Sequence, residues 1–242
     1  MNAIEIKALT KRYKGVVAVD GLSLCVREGE LFALLGVNGA GKTTTVKMLS
    51  CLTSPTEGEA YLLGKSICTE AAAAKKLLAV SPQETAVAAG LTARENLALM
   101  CGVHGISGER RAQRIQELSS LLGLESIMER RAGKLSGGWQ RRLSIAMALV
   151  SEPRVLFLDE PTLGLDVLAR SDLWELIRAL KGKATIVLTT HYMEEAEALS
   201  DRVAIMKDGK LLVCDTVEAI KAAANAQTLE QAFIHFAKGV KQ

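Results

Sequence analysis

Hydrophobic and polar residues alternate in two stretches of the first thirty positions, Ile4 to Leu9 and Leu22 to Val26, with Lys14-Gly15 between them. A period of two puts successive side chains on opposite faces, so both stretches read as strands of a mainly antiparallel layer. The pattern then changes. Glu30 to Leu35 is a short, mostly apolar run, which fits a strand buried on both faces of a parallel sheet. Thr44 to Leu49 continues as a helix. From about 92 to 150 the spacing is helical: Thr92-Ala93-Arg94-Glu95 has the form of a capping box, and Ala112, Ile115, Leu118, Leu121 and Leu122 recur on one face before Gly123. Strands return at Val155–Leu158 and Thr185–Leu188, separated by a helix that begins after Asp166 and ends at Gly182. Asp208-Gly209, between Val203–Met206 and Leu211–Val213, predicts a tight hairpin. From 216 onward two short helices are expected. The second opens on Thr228-Leu229-Glu230-Gln231 and carries an apolar stripe of Leu229, Ala232, Phe233 and Phe236, which we expect to dock on the domain itself.

A chain of 242 residues, almost half of them hydrophobic, is long enough to bury a substantial core. It contains no run of eighteen apolar residues, which argues against a transmembrane helix. Met1 to Lys7 lack a basic start followed by an apolar stretch, so no signal peptide is expected. The five cysteines (Cys25, Cys51, Cys68, Cys101, Cys214) are scattered and show no C-x-x-C spacing, which argues for reduced thiols in a cytosol. The formal net charge is +3, with basic residues interspersed among acids. That distribution reads as solvated surface, and no nucleic-acid partner is expected.

The candidate chemistry begins at Gly36-Val37-Asn38-Gly39-Ala40-Gly41-Lys42-Thr43, which fits the phosphate-loop pattern G-x-x-x-x-G-K-[ST]. Its glycines let the backbone turn tightly, so that successive N–H groups point inward at a β-phosphate. Lys42 reaches the β- and γ-phosphates of a nucleotide, and the Thr43 hydroxyl is a ligand for Mg²⁺. Thr44 lies in the helix that follows, whose N-terminus faces the phosphates. A buried strand before the loop and a helix after it supply the expected context.

A second constellation lies downstream. Leu135-Ser136-Gly137-Gly138-Trp139-Gln140-Arg141-Arg142 precedes Val155-Leu156-Phe157-Leu158-Asp159-Glu160, an apolar strand closed by two carboxylates; Pro161 to Asp166 and then His191 complete the order. From about residue 4 to residue 212 the chain resembles the nucleotide-binding subunits of ATP-binding cassette (ABC) transporters. The resemblance implies an α/β fold: a P-loop NTPase (RecA-like) core with a mainly parallel sheet, an N-terminal antiparallel β layer and an inserted α-helical subdomain. It implies an ABC ATPase domain over residues 1–215, with the helical subdomain at about 90–150, and a short helical tail over 216–242.

The resemblance also assigns roles. Tyr13 matches the aromatic that stacks on adenine. Asp159 matches the acid that holds Mg²⁺ through a water, and Glu160 the catalytic carboxylate that polarises the attacking water. Gln83 matches the glutamine that touches magnesium and senses the membrane partner, and His191 the switch histidine that contacts the γ-phosphate. Ser136, Gly137 and Gly138 open a helix whose N-terminus suits an anion, with Ser136 as N-cap. In the family that anion is the γ-phosphate of ATP on an opposite subunit, and Asp166 matches the residue linking the two sites. One phosphate loop and one signature per chain therefore imply a second nucleotide-binding subunit, as homo- or heterodimer.

Two positions depart from the family pattern. Val37 replaces a usual proline, which loosens the loop, and Trp139 replaces a glutamine or smaller residue. With no membrane span, transport is expected to fall to separate integral membrane permease subunits docking on the helical subdomain near Gln83, at the cytoplasmic face of the cell membrane. The Thr43-Thr44-Thr45 run, the Leu-Ser-Gly-Gly-x-Gln-Arg-Arg motif and the closing Thr-Leu-Glu-Gln-Ala-Phe resemble the subgroup that serves drug, antibiotic, sodium or polysaccharide export. An importer subunit, or an ABC ATPase acting on ribosomes or DNA, remains the alternative.

Overall fold

The computed structural model describes residues 1–239. In chain order it contains β1 (Asn2–Tyr13), β2 (Val16–Arg27), β3 (Leu31–Leu35), α1 (Lys42–Leu49), β4 (Glu57–Leu62), β5 (Lys65–Ser66), α2 (Ala71–Lys75) and β6 (Leu78–Ser81). The helical block follows as α3 (Ala93–Val103), α4 (Gly108–Leu122) and α5 (Gly137–Leu149). Then come β7 (Val155–Asp159), α6 (Val167–Leu180), β8 (Thr185–Thr190), α7 (Met193–Leu199), β9 (Arg202–Lys207), β10 (Lys210–Asp215), α8 (Val217–Ala223) and α9 (Leu229–Gly239).

Two sheets organise these elements. The larger has the order β10-β9-β3-β8-β7-β6, parallel throughout except at its β10 edge. Its central strands β3, β7 and β8 are buried along their whole length because both faces are covered. Leu31, Ala33 and Leu35 of β3 join Leu156, Leu158, Ile186 and Leu188 in a core shared with the helices. Phe32 and Leu34 point the other way, with Phe157 and Val187, toward α1 and the smaller sheet. That smaller sheet, β2-β1-β4-β5, is antiparallel.

β1 and β2 run further than the alternation alone indicates. Register shifts between Ile6 and Leu9, and between Leu9 and Lys11, interrupt the period-two pattern while pairing continues. Ala8 sits in the left-handed region at φ 49° within this interruption. The two predicted hairpin turns form with positive φ at both central residues, Lys14-Gly15 and Asp208-Gly209, as the twist of a two-residue hairpin requires.

The helix signals divide. At α3 the capping box is complete: the Glu95 amide donates to Thr92 Oγ1 at 3.1 Å, and the Thr92 amide donates to Glu95 Oε2 at 2.7 Å. Gly123 is left-handed at the end of α4. The expected box at α9 is half formed. The Gln231 amide donates to Thr228 Oγ1, but the Gln231 side chain accepts from Gln227, one residue before the cap.

Among the described residues of the tail, the apolar stripe docks as expected. Leu229, Ala232 and Phe233 are buried in the core shared with α7 and α8, and Phe236 packs against it. The expected tail's last residues, 240–242, lie outside the described part. Phe233→Ala should remove about 3 kcal/mol of folding stability, the usual cost of emptying a buried phenylalanine site. Urea unfolding measures this; an unchanged midpoint would show that the tail contributes nothing to the fold.

Candidate functional site

The phosphate loop runs from the C-terminal end of β3 into α1, and its neighbours leave no room for larger residues. A Cβ on Gly36 would lie 2.5 Å from the Met206 carbonyl oxygen, and one on Gly41 would lie 2.5 Å from that of Ala18. Gly39 and Gly41 also adopt φ values of 84° and 99°, open to glycine at no steric cost. Gly36 donates its amide to the Thr190 carbonyl, which ties the loop to the end of β8.

Lys42 is buried. Its ammonium donates to the Gly36 carbonyl at 2.7 Å and the Val37 carbonyl at 3.4 Å, and lies 3.2 Å from Glu160 Oε1. Both partners of this ion pair are more than nine-tenths buried. Glu160 Oε2 in turn lies 2.8 Å from His191 Nδ1. One carboxylate thus bridges the lysine of the loop and the histidine that follows β8.

Asp159 and Glu160 close β7 in different backbone conformations. Glu160 is left-handed at φ 49°, a strained state for a residue with a Cβ. Thr189 on the adjacent strand holds it there: the Glu160 amide donates to the Thr189 carbonyl at 3.1 Å and hydroxyl at 3.0 Å. The same hydroxyl donates to Asp159 Oδ1 at 2.5 Å, which also accepts from Thr43 Oγ1 at 3.2 Å. Reversing the chain at Glu160 sends the two adjacent carboxylates to different partners, Asp159 toward Thr43 and Glu160 toward Lys42 and His191.

A cleft of about 640 Å³ lies over the loop, and Gly36, Val37 and Asp159 are not among the residues that line it. Asn38, Gly39, Ala40, Gly41, Lys42, Thr43 and Thr44 line it from the loop, with Gln83, Glu160 and His191 opposite. Gln83 is positioned from its backbone, because Arg141 of α5 donates to the Pro82 and Gln83 carbonyls at 2.6 and 2.5 Å. Tyr13 is not brought into the wall; Val16, Val17 and Ala18 line that end instead. Its ring is half exposed, with Lys11 Nζ 5.0 Å from its centre.

Ser136, Gly137 and Gly138 do not line this cleft. Ser136 takes the N-cap backbone conformation of α5, but its side chain makes no capping hydrogen bond, so the expected cap is realised by the backbone alone. A Cβ on Gly137 would meet Leu165 at 3.6 Å and one on Gly138 would meet Ala169 at 3.2 Å, so the signature glycines abut the Asp166 turn. Asp166 caps α6 through the Ala169 amide at 2.9 Å. Trp139 packs against the core of its own chain, with the Arg142 guanidinium 4.8 Å above its ring.

The donor set at Thr43 and Asp159 fits magnesium. Both groups present oxygen, and Mg²⁺ takes few protein ligands while keeping waters and substrate phosphates. No cluster of three His, Cys, Asp or Glu side chains suited to a metal exists among the described residues.

The sequence profile of the ABC transporter family matches residues 19–163. The chain belongs to that family. It is 40% identical over 229 residues to the daunorubicin/doxorubicin resistance ATP-binding protein DrrA of Streptomyces peucetius, covering 94% of this chain and 69% of that protein. It is 44% identical over 209 residues to the Nod factor export ATP-binding protein I of Burkholderia pseudomallei (strain 1710b), covering 86% and 68% respectively. Among solved structures, the post-hydrolysis dimer of the cassette MJ0796 bound to ADP and Pi superposes with a TM-score of 0.78 at 29% identity. That match covers 88% of this chain and 98% of the other. The ABC chain described here is accordingly an ATP-binding ATPase subunit of the exporter-type subgroup.

Two residues to which the sequence reading gave no role hold site residues in place, Thr189 and Arg141, and two more lie behind them, half-buried Trp174 and buried Glu195. Thr189 had a signal in the Thr-Thr pair before His191. Glu195 had none, since a glutamate in the first turn of a helix reads as surface. It is instead fully buried, accepting from Trp174 Nε1 at 3.2 Å, with the Thr190 and Thr162 hydroxyls beside it. Burial pushes its carboxyl above the ordinary value of 4.5, and the negative charge of Glu160 acts in the same direction. A carboxyl raised in the folded state contributes stability that is full below its unfolded value and is lost as pH rises toward the folded one. Glu195→Gln should therefore be more stable than the parent above pH 4.5, with the gap in Tm widening as pH rises. Equal gaps at about pH 5 and about pH 8 would contradict a buried neutral acid.

Proposed function

We propose that this chain hydrolyses ATP as one half of a head-to-tail pair and so powers export through separate membrane-spanning subunits, at the cytoplasmic face of the cell membrane. What supports the pairing is the separation, within one chain, of the phosphate-loop cleft from the Ser136–Gly138 helix start. Beside that helix start, Val167 and Leu168 stand 77% and 79% exposed at the head of α6, two apolar side chains suited to a partner surface.

In this reading residues 1–215 form the ATPase domain, with about 90–150 as its helical subdomain, and 216–242 form the tail. The loop amides from Gly36 to Thr44 cradle the phosphates and Lys42 neutralises the γ-phosphate, leaving its ion pair with Glu160 as it does so. Glu160, freed but still oriented by its Thr189-held backbone, polarises the attacking water. His191 contacts the γ-phosphate from the other side of Glu160. Tyr13, exposed outside the cleft wall and paired with Val16 that lines it, would stack on the adenine base of bound ATP. Thr43, Asp159 and Gln83 hold Mg²⁺, which when bound neutralises developing charge on the phosphates. Ser136, Gly137 and Gly138 bind the γ-phosphate on the partner, and Asp166 links the two sites.

The membrane subunits have a candidate seat. A groove of about 360 Å³ between the core and the helical subdomain is lined by Leu52, Leu78, Met100 and Met147. Exposed Leu99 and Val103 stand on the same helix as Met100. No helix among the described residues is long and apolar enough to cross a membrane.

Glu160→Gln should bind ATP normally, lose at least ~100-fold in turnover and accumulate the closed dimer, since it keeps the shape but not the base. Hydrolysis at the parental rate would show that the catalytic carboxylate is wrongly assigned. Ser136→Arg should block ATP-driven dimerisation by placing bulk and charge at the interface, as read by size-exclusion chromatography; an unchanged dimer fraction rules out the sandwich. Affinity purification of Glu160→Gln with ATP from native membranes should retrieve a multi-spanning protein. Ribosomal or DNA-bound partners in its place would exclude transport.

A further inference from the structure

A buried carboxyl lies behind the hydrolysis residues, and the ATPase reading gives it no role. Glu195, on the first turn of α7, is fully buried. It touches three segments at once. Trp174 of α6 donates to its Oε1, Thr162 flanks it from the turn after β7, and Thr190 flanks it from the end of β8. Each segment carries a residue of the proposed machinery. Thr162 lies two positions after Glu160, Thr190 immediately precedes His191, and α6 is the helix that Asp166 caps. Thr190 also accepts the Tyr192 amide at 3.0 Å, which fixes the backbone on the far side of His191.

Two polar atoms here are unpaired. Glu195 Oε2 and Thr162 Oγ1 are both buried with no hydrogen-bond partner. Buried polar atoms are almost always paired, so an unpaired pair beside a reaction centre calls for an explanation. The charged groups acting on this carboxyl are Glu160 at the end of β7 and Arg141 of α5, whose guanidinium is anchored to the Pro82 and Gln83 carbonyls.

We propose that Glu195 is a positioning residue for ATP hydrolysis: its buried carboxyl, hydrogen-bonded to Trp174 of α6, fills the space between α6, the Thr162 turn and the Thr190 strand end behind Glu160 and His191. The position requires an acceptor for the Trp174 N–H and a polar end beside the threonine hydroxyls, which can themselves donate or accept. A carboxyl group supplies both, and so does a primary amide of the same shape. An apolar side chain would release all three segments, and misplacement of catalytic groups by as little as 1 Å costs rate steeply.

This inference rests on the proposed roles of Glu160 and His191, and the test separates the two. Steady-state ATPase rates and binding of a fluorescent ATP analogue are measured on the full chain for the parent, Glu160→Gln, Glu195→Gln and Glu195→Ala. Glu195→Gln should keep kcat within about twofold of the parent, whereas Glu195→Ala should lose about tenfold in kcat with little change in analogue affinity. If Glu195→Ala does not fold, Trp174→Phe removes the hydrogen bond to the carboxyl and should lower kcat at unchanged affinity. Parental kcat in Glu195→Ala, or in Trp174→Phe, overturns the proposal. So does a Glu195→Gln variant as slow as Glu195→Ala. Parental kcat in Glu160→Gln would instead overturn the catalytic assignment on which it rests.

Discussion

The Thr189 hydroxyl is the point on which the reaction centre depends. It donates to Asp159 and accepts from the Glu160 amide, so a single group on β8 orients two consecutive acids on β7. Without that anchor the left-handed turn at Glu160 has little to oppose its strain, and the two side chains would revert to the alternation of an ordinary strand end. The parallel register of β7 and β8, with Asp159 opposite Thr189, makes the contact possible. That register is in turn fixed by burial of both faces, because a one-residue slip would exchange the two cores.

Burial also explains why the site tolerates so many polar atoms in a dry place. Lys42, Asp159 and Glu160 are all buried, yet each is paired, with backbone carbonyls, with hydroxyls or with one another. Removing one partner would leave its mate charged and unpaired in a poorly solvated cavity. The Lys42–Glu160 pair satisfies both charges between the loop and the end of β7. Glu195 meets the same constraint with Trp174 Nε1 donating to its Oε1, and burial raises its carboxyl above the ordinary value.

The signature helix belongs to another part of the molecule. Its glycines face Leu165 and Ala169, and its Arg141 reaches back to the Gln83 segment. Two hydrogen bonds to backbone carbonyls thereby tie α5 to the Gln83 side of the cleft.

Much of this was legible in the residues themselves. The phosphate loop, the acid pair and the signature are contiguous motifs whose chemistry depends on local order, so reading them needs no coordinates. The complete Thr92 capping box and the Lys14-Gly15 and Asp208-Gly209 turns are local for the same reason. Interactions between distant segments were not legible. The register shifts that extend β1 and β2 past the broken alternation, the cleft wall formed by Val16 and Val17 rather than Tyr13, and the diversion of Gln231 to Gln227 each depend on neighbouring backbone. Glu195 is the sharpest case. The residues between His191 and Val203 carried no helix assignment in the sequence, and this acid no role; the structure places it in the first turn of α7. Only the tertiary structure decided that α6, β7 and β8 would close over it, because burial depends on which strands become neighbours and not on the residues beside it in the chain.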